Sequence, residues 1–171
     1  MAYCDDLNSG IDAFCGFNLG GIVSAYIADY DKVDSITLTQ STIIDNITMA
    51  SGSYFYEFNF REDTSTFVQT NTPTNNSDLV EQVGTLVFQK VETLKNNVFN
   101  LLRGKKLIVI YEDSNGQLWF SGHALGARIQ SITLDFGTDR NDPNISTVAI
   151  IAREPYYAYE VDQVSTIPVS A

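Results

Sequence analysis

Residues capable of acid–base, nucleophilic or metal chemistry are sparse in this chain. The sequence has one histidine, His123, and no serine or cysteine motif accompanies it. It contains no nucleophile elbow, P-loop or GxGxxG fingerprint. Adjacent acidic pairs occur in predicted loops, where carboxylates are usually solvated: Asp5/Asp6, Glu62/Asp63 and Glu112/Asp113. We therefore expect a protein that is not an enzyme, with no cofactor and no catalytic or metal-binding residues.

The two cysteines, Cys4 and Cys15, match no zinc-binding or CxxC spacing. The first residues also lack the positively charged segment and the apolar run of a secretory leader. We therefore expect free thiols in a protein made in a reducing cytosol. A late disulfide that ties down the N-terminal arm is the alternative.

The charge balance argues against a nucleic-acid-binding module. The 171 residues include 10 basic and 21 acidic ones, which gives a formal net charge of −11, whereas a protein that grips phosphates needs the opposite sign. Charged residues make up 18% of the chain, so uncharged polar residues are correspondingly frequent. No run approaches the about 18 apolar residues of a membrane span, and we expect no contact with membranes. This composition is typical of an all-β protein whose surfaces meet other protein surfaces.

Alternating and β-branched runs predict a mainly β chain. Asn115-Gly116 lies between two apolar runs, which is a strong hairpin signal. Strands are predicted at 22–28, 35–39, 53–61, 80–91, 107–111, 117–120, 125–136, 145–152 and 156–161, with a further β-branched segment at 43–48. The regular turn signals between them favour a β-barrel or β-sandwich.

The segment 53–61 has the strongest period-two pattern. A strand directs successive side chains to opposite faces, so one aromatic face is expected to pack and one mostly polar face to meet solvent or a partner. The aromatic face carries Tyr54, Tyr56, Phe58 and Phe60. The mostly polar face carries Phe55, Glu57, Asn59 and Arg61.

One flanking helix and one long loop interrupt the strands. Residues 62–78, rich in Thr and Asn, predict a long loop or a long flexible hairpin tip, and loops of this length are usually functional or disordered. Residues 91–103 predict a helix that ends before Gly104. Its core-facing stripe is expected to contain Val91, Leu94, Val98, Leu101 and Leu102, and its outer face Lys95, Asn96, Asn97 and Asn100.

These elements predict a single domain at 21–161, with an N-terminal arm at 1–20 and a C-terminal tail at 162–171. Charge is unevenly spread. Residues 90–106 contain five basic residues against Glu92, a net of +4, so −15 falls on the rest of a chain whose total is −11. This asymmetry is either patterning for solubility or the sign of two surfaces with different tasks.

The order of these motifs resembles the tail tube proteins of tailed phages, in particular small virion proteins of phages from Bacteroidetes-type hosts. Their N-terminal signature resembles GGI at 20–22, AYIADY at 25–30 and Val33. The later order is also similar: an aromatic strand at 54–60, a strand at 81–88, a helix ending in Leu101-Leu102, VIYEDSNG at 109–116 and WFSG at 119–122. The resemblance covers residues 20–160 and includes no catalytic motif.

This resemblance implies a β-barrel or sandwich with one flanking helix, six copies of which form a ring. Rings stack into a hollow tube in the virion tail, assembled in the host cytoplasm, and DNA passes through the lumen. Six copies at −11 each carry −66, so the channel repels phosphates and DNA slides without specific binding. The implied partners are other copies of the chain, with sheath, baseplate or terminator proteins beside them. The candidate lumen or assembly residues are Glu57, Asn59, Glu62, Asp63, Lys95 and Lys105.

Two alternatives remain open. The same composition fits another virion component, such as a capsid decoration, tail terminator or baseplate protein. It also fits a β-sandwich carbohydrate-binding module in which Trp119, Tyr156, Tyr157 and Tyr159 supply stacking surfaces. Packing in the core or at an interface is the simpler role for these four aromatic side chains.

Overall fold

The computed structural model describes residue 11 and residues 16–61, 63–73 and 78–170, which form eleven strands and one α-helix. The strands are β1 Ile22–Asp29, β2 Val33–Thr39, β3 Ile43–Met49, β4 Tyr56–Asn59, β5 Thr66–Asn71, β6 Val80–Gln89, β7 Leu107–Asp113, β8 Leu118–Ser121, β9 Ala127–Asp135, β10 Ile145–Glu154 and β11 Tyr159–Val161. The helix α1, Thr93–Leu102, lies between β6 and β7. Within these residues, no helix has both the length and the apolar character needed to cross a bilayer.

The strands form two layers. The front sheet is antiparallel and has the order β5–β6–β10–β9. The back sheet has the order β4–β1–β7–β8–β11–β3–β2, in which β11 and β3 are parallel. The pairing of Leu107 with Ala127 joins β7 to β9, so the two layers are one continuous sheet. The fold is mainly β and sandwich-like, as the sequence predicted, and the sheet does not close into a barrel.

The central strands β1 and β7 are buried on both faces. Along β7, Leu107, Val109 and Tyr111 face a core shared with the front sheet, whereas Ile108 and Ile110 face a second core behind it. Because successive side chains point to opposite faces, a strand covered on both sides must be apolar throughout. This explains the unbroken run LIVIY at 107–111.

Gly84 on β6 makes room for the largest buried side chain. A Cβ atom at Gly84 would lie 2.1 Å from the Tyr111 Oη atom, so no other residue fits there without moving that ring. Tyr111 in turn stacks on Phe67 of β5, with ring centroids 4.3 Å apart. Burial raises the pKa of the Tyr111 phenol far above its usual range. The contact locks the front sheet to β7.

The predicted long loop at 62–78 contains a strand, so that prediction was wrong for residues 66–71. β5 pairs with β6 from Thr66–Thr85 to Asn71–Val80. Its Thr and Asn content concealed a period-two pattern, in which Phe67 packs against the core while Val68 stays exposed. Residues 62 and 74–77 lie outside the described part of the chain.

The aromatic segment at 53–61 is only partly the strand that its pattern predicted. β4 spans four residues, and Phe58 and Phe60 pack against the first core as expected. Tyr54 and Tyr56, however, are 46% and 58% exposed, whereas Phe55 is fully buried in the second core. The buried and exposed positions are reversed at this point because β4 pairs with β1, whereas the chain just before β4 pairs with a different segment.

That segment is the predicted C-terminal tail, which packs on the domain. The Phe55 N–H donates to the Pro168 carbonyl at 2.9 Å, and the Ser170 N–H donates to the Phe55 carbonyl at 3.0 Å. Ile167, 5% exposed, enters the second core. Residues 162–170 are therefore part of the domain. Of the predicted N-terminal arm, residues 16–20 are exposed and irregular, and Cys4 and Cys15 lie outside the described residues.

The helix lies where the sequence predicted but faces the core with other residues. Phe99 is buried and Leu102 packs partly, whereas Leu94 and Leu101 are 73% and 66% exposed. The Asn96 Oδ1 atom, expected outside, is buried and accepts no hydrogen bond from the part of the chain that the structure describes. The Phe99 ring lies 5.5 Å from the ring of Phe88 on β6, and this contact determines the rotation of the helix.

Candidate functional site

The front sheet has one face in the core and one face uncovered, called here the open face. Its residues alternate with core residues along each strand. Most are small and uncharged: Thr66, Val68, Thr70, Val83, Thr85, Val87, Ser131, Thr133, Thr147, Ala149 and Ile151. The Arg153 Nε atom is 3.3 Å from the Glu81 carboxylate, so these two charges neutralise each other on this face. The open face is a smooth surface with little net charge.

Both edges of the front sheet are largely unpaired within the described residues. β5 pairs with β6 alone, and β9 pairs with β10 and, through Ala127, with β7. A groove of about 420 Å³ lies between β5 and residues 18–22, and one of about 650 Å³ lies between β9 and α1. An unpaired edge is a template for pairing with another chain. Each groove leaves solvent-filled space beside that edge.

Three of the predicted site residues lie outside the front sheet. Glu57 and Asn59 are exposed on β4, which pairs with β1 at the end of the back sheet. Asp63 is exposed in the segment between β4 and β5, at a left-handed φ of 59°. Glu62 lies outside the described residues. None of these three residues is therefore on a strand of the open face.

The two predicted lysines belong to other elements and have partners in their own chain. The Lys95 Nζ atom is 2.9 Å from the Glu92 carboxylate, and this pairing lowers the pKa of Glu92. The Lys105 Nζ atom is 2.9 Å from the Asp29 carboxylate. Glu92 is already counted in the net of +4 for 90–106, so only the pair with Asp29, which lies outside that range, offsets part of this positive charge. The predicted site residues do not form a single site.

A buried carboxylate organises the connection between β8 and β9. Glu154 is 3% exposed and accepts the backbone N–H groups of Ala124, Leu125 and Gly126 at 2.8, 2.9 and 3.1 Å. His123 precedes them, and its ring packs edge-on against Tyr159 at 4.9 Å. Burial lowers the pKa of His123, and Glu154 partly opposes this effect. Among the described residues, no three His, Cys, Asp or Glu side chains are arranged to hold a metal ion.

Another groove, of about 440 Å³, is bordered by all four aromatic residues noted in the sequence: Trp119, Tyr156, Tyr157 and Tyr159. It shares Trp119 with the groove beside β5. Trp119 on β8 pairs with Glu160 on β11, so their side chains lie on the same face. The Tyr159 ring contacts both His123 and Tyr156, with ring centroids 4.9 and 6.5 Å apart. The structure therefore brings the four aromatic residues together around one groove.

No protein-family model, curated protein or solved structure matches this chain. Its function is therefore inferred from its fold and its surfaces. Sequence reasoning missed the open face, although the alternating pattern in 80–89 and 145–154 signals two strands with one uncovered side.

Proposed function

We propose that this protein is a structural subunit of a tailed-phage virion, a tail tube protein whose copies form stacked rings around a channel. The observation that carries the proposal is the front sheet. Its open face has mostly small side chains and little net charge, and its two edges are largely unpaired among the described residues. The resemblance of residues 20–160 to tail tube proteins agrees with it. Because the two free edges belong to different strands, β5 and β9, they suit pairing of one copy with the next.

Pairing of unlike edges is a head-to-tail contact, and such contacts close into rings when the rotation between copies allows it. Joining β5 of one copy to β9 of the next continues the front sheet across the interface. The open faces then form an uninterrupted lining. In this proposal, Glu57 and Asn59 on β4, and Asp63 between β4 and β5, contact neighbouring copies rather than line the channel.

The chemistry of the open face suits passage of DNA without capture. Thr, Ser, Val and Ala side chains offer phosphates no charge, and the Arg153 guanidinium is already paired with Glu81. Arg128, opposite Ile151, adds a cation to this face, and Asp135, opposite Ile145, adds an anion, so the net charge of the face stays small. The net charge of −11 per copy opposes retention of a polyanion. The lining is therefore expected to let DNA slide.

The proposal is tested by electron microscopy of the purified protein. Negative staining should show rings or tubes, either spontaneously or after seeding with tails. Val68→Lys places a charge on the exposed side of β5 (Val68 is 55% exposed) and should block assembly while the monomer stays folded by circular dichroism. Val164→Lys, in the turn Val164–Thr166 and 46% exposed, is the matched control and should assemble normally.

Two outcomes contradict the proposal: a monomer that never joins a tail, and normal tubes from Val68→Lys. Immunogold labelling of virions separates a tube from the other virion components. A tube protein is labelled along the whole tail. A capsid decoration, tail terminator or baseplate protein is labelled at the head or at one end of the tail.

A further inference from the structure

We propose that the groove bordered by Trp119 and Tyr157, called here the aromatic groove, binds a neutral saccharide. It lies beside the β8–β11 pair and under the connection between β10 and β11. Its volume of about 440 Å³ falls within the roughly 300–1,000 Å³ of small-molecule sites. This inference does not depend on the proposed role in the tail.

The walls of the groove supply the apolar part of sugar recognition. A pyranose ring has an apolar face of C–H groups, and flat aromatic rings are the side chains that cover such a face. Tyr157 is 58% exposed. The Trp119 Nε1–H group donates to the Asp113 carboxylate at 3.3 Å, which orients the indole before any ligand arrives. An indole ring held in this way loses less entropy on binding.

Polar groups converge on the same groove. The Asn71 amide donates to the Asp78 carboxylate at 2.7 Å, and Glu160 lies across from Trp119. Carboxylate oxygens accept hydrogen bonds from sugar hydroxyls, and an amide both donates and accepts. No Lys or Arg is among the described residues that line the groove. The two carboxylates therefore disfavour anionic ligands, so phosphates and sialylated sugars are poor candidates.

The connection that carries Tyr156 and Tyr157 is held in place by two glutamines. The Gln82 side chain, 2% exposed, donates to the Tyr156 carbonyl at 3.0 Å. The Gln69 side chain accepts the Ala158 N–H at 2.7 Å. Because both anchors lie on front-sheet strands, the groove is preformed. A preformed groove with aromatic walls and a few placed polar groups is the usual form of a small-ligand site.

Trp119 is the only tryptophan of the chain, so its fluorescence reports on the aromatic groove and on the groove beside β5 that it also borders. The purified full-length protein is first applied to an array of neutral and sialylated glycans. The best neutral glycan, or maltose, cellobiose and chitobiose, is then titrated while Trp119 emission is recorded. We expect a saturable change in emission with neutral sugars and none with their sialylated counterparts.

Tyr157→Ala should weaken binding about tenfold or more, the loss expected when one stacking ring is removed. Tyr56→Ala, also 58% exposed but on β4, is the matched control and should bind as the unmodified protein does. Glu160→Gln keeps the shape of the groove and should also weaken binding. These three variants avoid changing Trp119, which is the reporter.

Three results overturn this inference. One is the absence of any neutral glycan that binds the folded protein. Another is equal binding by Tyr157→Ala and Tyr56→Ala. The third is loss of ring or tube formation in Tyr157→Ala without any sugar binding, which makes the groove a contact between copies. Because assembly is measured separately, failure here leaves the tail tube proposal standing, and failure of assembly leaves sugar binding testable.

Discussion

Glu154 shows how one residue holds a loop in this fold. A carboxylate that is removed from water loses its hydration, and this cost is offset only when donors replace the water molecules. Three consecutive backbone N–H groups at 124–126 do so. Hydrogen bonds to a charged acceptor are stronger than neutral ones. Glu154 thus fixes the path of the chain from β8 to β9, and His123 lies at the start of that path.

His123 makes stability depend on pH. Burial lowers its pKa below the ordinary 6.5, so the unfolded chain takes up a proton at a higher pH than the folded chain does. Stability is therefore full above pH 6.5 and falls as the pH decreases from there toward the folded pKa. His123→Phe keeps an aromatic ring beside Tyr159 and Phe120 but cannot titrate. Its urea midpoint should fall less than that of the unmodified protein between about pH 7.5 and 5.5. Equal pH dependence of the two urea midpoints would mean that His123 has the same pKa in the folded and the unfolded chain.

At the scale of elements, α1 shows that size decides which face of a helix is buried. The spacing of valine and leucine residues predicted the wrong core-facing side of the helix, because that prediction did not include Phe99. An aromatic side chain buries more apolar area than a leucine, and Phe99 sits between Leu102 and the ring of Phe88. The leucines at 94 and 101 are left outside.

Paired substitutions test this orientation of the helix. Phe99→Ala should lower the free energy of unfolding by about 3–5 kcal/mol, the usual cost of truncating a buried phenylalanine. Leu101→Ala, at a position 66% exposed, should change it by no more than about 0.5 kcal/mol. Chemical denaturation of both variants measures the difference. A large loss in Leu101→Ala with a small one in Phe99→Ala would show that the helix is rotated as the leucine spacing predicts.

The sequence was sufficient for elements with a strong local pattern. The run at 107–111, the Asn115-Gly116 hairpin and the alternation in 145–152 carry their own signals, and β7, β8 and β10 lie there. It was insufficient where a distant partner decides the outcome. Phe55 is buried because residues 168–170 pair with it, and no local period encodes that. β5 is a strand because β6 lies beside it. The free edges and the aromatic groove depend on such long-range pairings, and for that reason they could not be located beforehand.

At the scale of the whole molecule, charge opposes the proposed assembly. Each copy carries −11, so copies repel one another until salt screens them. The screening length is about 10 Å at 0.1 M salt and about 3 Å at 1 M. In the proposed assembly, attraction between copies therefore comes from sheet edges and apolar surface, both of which tolerate salt.

Raising the salt concentration should therefore promote assembly. We expect the lowest protein concentration that yields rings or tubes to be smaller at about 0.5 M than at about 0.02 M sodium chloride. Light scattering with electron microscopy measures this lowest concentration. Sedimentation of Val68→Lys at the same salt concentrations controls for precipitation. An assembly that dissolves as salt rises would show that ion pairs between copies hold it together.

The position of β11 bears on when the protein becomes able to fold. Residues 159–161 form the link between β8 and β3, and β3 belongs to the first third of the chain. During translation the ribosome releases β3 long before β11, its second neighbour, exists. The back sheet cannot be completed until nearly all of the described chain has emerged, so shorter polypeptides cannot complete the domain.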